Sequence, residues 1–187
     1  RSSAASDVYK RQTSYYLKNH FINLKFIGNC ELINNELDKI TFNEISEVWA
    51  SNLWKDRQSP IKHISSMVYL GGYDMSIYNN EPTFFSIKES GKIIAVNSGH
   101  MTINGYYRSR GLWVKETYWN KGLTYILFNA LCDQALSENA EHIWSYPRQN
   151  SVGAYLKNSF FISSTLISND ELGPHYYVMR SLDQTKR

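Results

Sequence analysis

Gly111-Leu112-Trp113-Val114-Lys115-Glu116-Thr117-Tyr118-Trp119-Asn120-Lys121-Gly122-Leu123-Thr124 leads directly into Tyr125-Ile126-Leu127-Phe128-Asn129-Ala130-Leu131-Cys132. The opening reads as a strand, the middle as a tight polar turn, and the end as a helix with apolar periodicity. The first N–H groups of a helix have no partner within it and sit at the positive end of its dipole. Such an end suits a phosphate or pyrophosphate. Gly122 lets a ligand approach the backbone closely. Lys121 adds a positive charge and Thr124 a hydroxyl donor.

Downstream, Ile126, Leu127, Ala130, Leu131, Gln134 and Ala135 carry the helix to about Asn139, with Tyr125-Ile126-Leu127 opening its buried face. His142-Ile143-Trp144-Ser145-Tyr146 then reads as a strand closed by Pro147. Strand, helix and strand at this spacing form a crossover unit, so the two strands are expected to be parallel neighbours. A short helix is expected from about Ser151 to Asn158. Strands follow at Phe160–Thr165 and, after Gly173-Pro174, at His175–Leu182.

Upstream, Thr83–Lys88 and Lys92–Met101 flank the turn Glu89-Ser90-Gly91, which predicts a hairpin. Asn104-Gly105 marks the turn into Tyr106–Val114. Thr41 with Glu44 is a capping-box pattern, and Phe42, Ile45, Val48, Trp49 and Leu53 follow at helical spacing. Ser59-Pro60 predicts the start of a second helix, with Ile61, Ile64, Met67, Val68 and Leu70 on its apolar side and Gly71-Gly72 as its stop. A first core strand is placed within residues 24–33.

Composition sets the outer limits. The chain has 187 residues, 42% hydrophobic and 20% charged, which suits a globular domain rather than a disordered chain. No apolar run reaches the roughly 18–20 residues needed to cross a bilayer, so no membrane partner is expected. Cys30 and Cys132 are far apart and lack zinc-type spacing, which suits a reduced, cytoplasmic protein without a metal. Residues 2–12 resemble the in-frame translation of a sequencing adapter. Residues 1–12 are therefore read as a non-native tail, and 13–187 as a single domain. Without Arg1, Lys10, Arg11 and Asp7 the net charge falls from +3 to +1, so nucleic acid is not an expected partner.

The strand–turn–helix resembles the acyl-CoA-binding motif of the Gcn5-related N-acetyltransferase (GNAT) family, a Leu-x-Val strand followed by Gln/Arg-x-x-Gly-x-Gly/Ala. Leu112, Val114 and Gly122 match. Trp119 stands where Gln or Arg is usual, Thr124 where Gly or Ala is usual, and Glu116 where Pro is common. Tyr155-Leu156-Lys157-Asn158-Ser159-Phe160 resembles the family's Tyr-x-Lys-x-Gly-Phe segment, with Ser159 replacing Gly. The order of elements over nearly all of residues 24–182 is also similar to the family's. The resemblance implies an α/β (α+β type) fold. Its mixed, mostly antiparallel sheet has six to seven strands, a splayed parallel pair, and helices on both faces.

The resemblance further implies an N-acetyltransferase with acetyl-CoA as co-substrate. The pantetheine arm would pair with the backbone of Trp113, Val114 and Lys115. The pyrophosphate would rest on Trp119, Asn120, Lys121, Gly122, Leu123 and Thr124. Tyr155 would protonate the departing thiolate or contact the sulfur. A backbone N–H near Val114 would face the oxyanion. The early helices would wall the acceptor site, leaving Trp49, Trp54, Tyr69 and Tyr73 as either core or acceptor-wall aromatics. His100 is the first candidate base, because an unperturbed imidazole titrates near neutrality; Glu116 is the second. Arg108, Arg110 and Arg148 would bind a carboxylate or phosphate on the acceptor if they converge. The expected acceptor is a small-molecule or amino-terminal amine. A noncatalytic acyl-CoA-binding module is the alternative. The last strand and exposed aromatics would support a homodimer.

Overall fold

The computed structural model describes residues 36–182, except 66, 68, 71–80, 103–104 and 170–172. The tail boundary, the strand placed within 24–33, Tyr73 and Asn104 lie outside the described residues. The elements are β1 (Glu36–Ile40), α1 (Phe42–Asn52), β2 (Thr83–Glu89), β3 (Lys92–Met101), β4 (Tyr106–Val114) and α2 (Leu123–Ser137). They continue as β5 (His142–Ser145), α3 (Val152–Leu156), β6 (Phe161–Ile162), β7 (Ile167–Asn169), β8 (Gly173–His175) and β9 (Val178–Ser181). Seven strands form one sheet in the order β1-β2-β3-β4-β5-β9-β6, and β7-β8 form a separate pair. Among the described residues only β4 and β5 pair in parallel.

Local chemistry explains the clearest elements. Thr41 Oγ1 accepts from the Glu44 N–H while the Glu44 carboxylate accepts from the Thr41 N–H, closing the capping box at the start of α1. The β2–β3 hairpin turns at Ser90 (φ 50°) and Gly91 (φ 75°), the pair of positive φ angles that matches strand twist.

Alternation along the strands divides the core. Ile45 and Trp49 of α1 meet Phe84 and Val96 on one face. Leu127, Phe128 and Leu131 of α2 meet Phe85, Ile87, Ala95 and Tyr107 on the other. The buried face of α2 is Leu123, Leu127, Phe128, Leu131, Cys132 and Ala135. Tyr125, expected at its opening, is exposed instead, because it lies off that i, i+4 row.

Two further expectations are corrected, and one strand is added. Residues 59–65 form no helix. Their polar groups bond to the sheet instead: the Lys62 carbonyl accepts from Arg110, and the Ser65 N–H donates to His100. The strand expected over His175–Leu182 divides into β8 and β9. Between them the Tyr176 N–H donates to the Pro147 carbonyl and the Tyr177 N–H to Ser164 Oγ, which interrupts the ladder. β9 lies between β5 and β6. β1, not anticipated as a strand, pairs with β2 over Glu36–Ile40.

Candidate active site

The site forms where two parallel strands separate. β4 and β5 pair at Tyr106–His142, Tyr107–Ile143 and Arg108–Trp144. β4 then runs on to Val114 with no strand beside that edge among the described residues. At the fork, Ser145 Oγ donates to the Ser109 carbonyl at 2.8 Å. One step further, Gly111 and Leu112 together oppose Asn97, a bulge in the β3–β4 ladder. Gly111 has φ 68°, and its carbonyl accepts from Trp49 Nε1 at 2.8 Å. A Cβ at Gly111 would overlap the Trp49 indole. Helix α1 thus grips the strand at its bend.

Past Val114 the chain takes a short 3-10 turn (Glu116–Tyr118) and reaches α2 through Asn120 (φ 60°) and Gly122 (φ 78°). No side chain caps the start of α2, and the space beside Gly122 is open. Lys121 is exposed, with Nζ 4.7 Å from the Tyr118 ring centre. Leu123 is buried and anchors the helix. Thr124 Oγ1 accepts from Asn158 Nδ2 at 3.2 Å, which ties α2 to the end of α3. Trp119 is 59% exposed, yet its Nε1–H donates to the Val114 carbonyl at 2.9 Å. The open strand edge, the uncapped helix start and the bare Gly122 fit a pantetheine arm leading to a pyrophosphate.

Tyr155 closes the fork from the α2 side. Its ring packs on Phe128 (5.1 Å) and Phe160 (5.3 Å), and its hydroxyl lies 3.1 Å from Ser145 Oγ. Burial pushes the phenol pKa up, so it holds its proton. Ser145 has one proton, and the Ser109 carbonyl can only accept; Tyr155 therefore donates to Ser145 while that bond is made. Ser159 adopts φ 65° at the position where the resembling segment has glycine.

His100, Arg108 and Arg110 gather on the opposite face of the sheet. His100 is buried, and Nδ1–H donates to the Met101 carbonyl at 3.0 Å while Nε2 accepts from the Ser65 N–H at 3.5 Å. Burial, aided by the charges of Arg108, Arg110 and His63, lowers its pKa to about 3. The near-neutral titration expected of this histidine does not hold in this setting. The unfolded chain would take up a proton at the ordinary 6.5 that the folded chain refuses until about 3. Stability therefore rises with pH across that interval and is lost as pH falls, at about 1.4 kcal/mol per pH unit for one such group. Thermal unfolding of His100→Asn between pH 4 and 7 is expected to show a shallower slope than the parent. Equal slopes would assign the acid sensitivity to other groups.

Arg148 follows β5 just past Pro147. It is exposed, forms an isolated bridge with His175, and bears electrostatically on that histidine. Glu116 is exposed in the 3-10 turn. Trp49 is core, fully buried against Phe84 and Trp54. Ser145, Ser109 and Gly111 were not singled out from the sequence as site residues. Gly111 carried the one available signal, a glycine inside a strand pattern.

A mixed sheet forked at one parallel pair, with an uncapped helix beside the fork, is the arrangement that the resemblance to the GNAT family implied. The chain matches the model of the Acetyltransferase (GNAT) family over residues 47–160, and it belongs to that family. No curated protein matches the chain. Among solved structures, Ard1 from Thermoplasma volcanium is similar at TM-score 0.58 and 14% identity, over 80% of this chain and 98% of that one. An acetyltransferase of the GNAT family from Staphylococcus aureus Mu50 is similar at TM-score 0.55 and 13% identity, over 80% and 99%. The ribosomal-protein-S18-alanine N-acetyltransferase from Escherichia coli is similar at TM-score 0.53 and 12% identity, over 80% and 94%. At these identities the likeness is one of fold, while family membership supports acyl transfer in general terms.

Proposed function

We propose that the protein transfers an acetyl group from acetyl-CoA to a primary amine by direct attack. The observation that carries this reading is the forked β4 edge, with Tyr155 on one side and the bare start of α2 at its end. The pantetheine would pair along Trp113, Val114 and Lys115, and the diphosphate would take the amides from Trp119 to Thr124. The amine nitrogen forms the new C–N bond at the thioester carbon. The C–S bond breaks, and the thiolate takes the Tyr155 proton. The amine's own proton leaves through water or a base. The free protein's buried, neutral His100 enters this reading as a hydrogen-bonding group, and Glu116 remains the exposed carboxylate nearest the turn in sequence.

Thiol release from acetyl-CoA across a panel of amines, with calorimetric binding of coenzyme A, tests the proposal. Release with one class of amine supports transfer. Binding without release favours the noncatalytic module, and absence of binding would remove the coenzyme site.

Trp119 supplies a separate expectation. Its indole N–H occupies the Val114 carbonyl that the pantetheine amide would use. One neutral hydrogen bond is worth about 0.5–1.5 kcal/mol net. Trp119→Phe is therefore expected to tighten coenzyme A binding by up to about tenfold. Weaker binding would mean that the indole contacts the coenzyme rather than competing with it.

A further inference from the structure

Beside Tyr155 the fork holds a run of buried polar groups that packing alone does not require. Ser109 and Asn97 are fully buried, and Ser145 is nearly so. Ser109 Oγ lies 3.1 Å from Asn97 Oδ1, and the Ser98 N–H donates to that same oxygen at 3.0 Å. A backbone N–H can only donate, so the atom that faces it is the amide oxygen. That oxygen has no proton to give, so Ser109 donates to it. Among the described residues Asn97 Nδ2 has no acceptor. A buried amide nitrogen without a partner costs stability that an apolar side chain of the same shape would not. Asn97 thus serves through its oxygen, at the strand position that opposes the Gly111–Leu112 bulge.

Two hydroxyls stand at the phenol. Tyr155 Oη lies 3.1 Å from Ser145 Oγ and also meets the Ser109 side chain. Burial, the largest influence, raises the phenol pKa; the bonds with Ser145 and then Ser109 oppose it, as does the charge of Arg108. Both serines therefore favour the charged phenol. In the resting protein their protons are held elsewhere, by the Ser109 carbonyl for Ser145 and by Asn97 for Ser109. When Ser109 turns away, Asn97 Oδ1 keeps the Ser98 N–H. A hydrogen bond to a charged oxygen is roughly twice as strong as a neutral one, so the exchange is favourable once a phenolate exists.

We infer that Ser109 is a positioning residue for the transfer: Asn97 holds its hydroxyl in wait, and the hydroxyl turns to the Tyr155 phenolate that forms as coenzyme A departs. This rests on the acetyl-transfer reading. As the C–S bond breaks, the sulfur takes the Tyr155 proton, and the electron pair of the O–H bond stays on the phenol oxygen. Ser109 and Ser145 donate to that oxygen. The proton that the amine nitrogen loses, passed through water or a base, then restores the phenol.

A double-substitution cycle tests the inference, read by thiol release from acetyl-CoA with an amine that the panel above identifies. Ser109→Ala is expected to lower kcat by about tenfold or more, the scale of a hydrogen bond to a charged group. The KM for acetyl-CoA and the calorimetric affinity for coenzyme A should change little. In the Tyr155→Phe background no phenolate forms, so Ser109→Ala should there change kcat by less than about twofold. A structural role would give the same loss in both backgrounds. Equal losses, or an unchanged kcat in Ser109→Ala alone, overturn the inference and leave acetyl transfer standing. Should Ser109→Ala fail to bind coenzyme A, Ser109→Cys, whose thiol is only a weak donor, takes its place in the cycle under the same criteria. Absence of thiol release by the unsubstituted protein overturns the acetyl-transfer reading and this inference with it, and is seen before any variant is made.

Discussion

Tyr155→Phe is expected to lower kcat by about 100-fold or more while changing the KM for acetyl-CoA little. General acid catalysis by a positioned side chain contributes typically 10²–10⁴-fold. The substitution removes one oxygen and keeps the ring that packs on Phe128 and Phe160, so the fold should persist. Ser145 retains its bond to the Ser109 carbonyl. The phenol is well suited to the role because burial raises its pKa, so its proton is present when a thiolate leaves. Once the proton turns toward sulfur, Ser145 can turn its own hydroxyl toward the phenol oxygen. Ser145→Ala should therefore lower kcat less than Tyr155→Phe does. Steady-state kinetics with saturating amine measures both. An unchanged kcat in Tyr155→Phe would sink the acid role and leave this tyrosine as packing.

Gly111→Ala is expected to destabilise the protein by roughly 3 kcal/mol. Two effects combine. An L-residue in the left-handed region costs about 1–2 kcal/mol, and forcing a methyl into a packed site costs typically 1–3 kcal/mol. The methyl here would overlap the Trp49 indole, which is fully buried and bonded to the Gly111 carbonyl. For a chain of this size, that corresponds to a melting temperature lower by about 10 °C. Coenzyme A binding should weaken as well, because the bulge at Gly111 sets the direction of the strand edge proposed to receive pantetheine. Thermal unfolding and calorimetry on the same preparation measure the two consequences. An unaltered melting temperature would falsify the account of Trp49 as the clamp on the bulge.

Local chemistry alone determined a large part of this protein. The capping box of Thr41 and Glu44, the Ser90-Gly91 hairpin turn and the strand–turn–helix from Leu112 to Cys132 were all legible in the chain. Each is specified by residues within a few positions of one another, through caps, positive φ angles or apolar spacing. The parallel pairing of β4 and β5 also followed, because a strand–helix–strand unit leaves little topological choice. With the motif at residues 155–160, these elements were enough to indicate the family.

Tertiary structure decided what depends on distant partners. Residues 59–65 have the apolar spacing of a helix, but Arg110, His100 and Arg108 on the sheet engage their polar groups. The clamp of Trp49 on Gly111 joins residues 62 positions apart, and no periodicity encodes it. His100 looked suited to proton transfer because an imidazole in water titrates near neutrality; enclosure between the strand and Ser65 holds it neutral instead. Arg108 and Arg110 could be paired by strand alternation, whereas their indole neighbours could not. Helix starts and turns are settled by short-range sterics and hydrogen bonds, which the chain order displays. The charge state and partners of a buried side chain are settled by what folding packs around it, which only the three-dimensional arrangement contains.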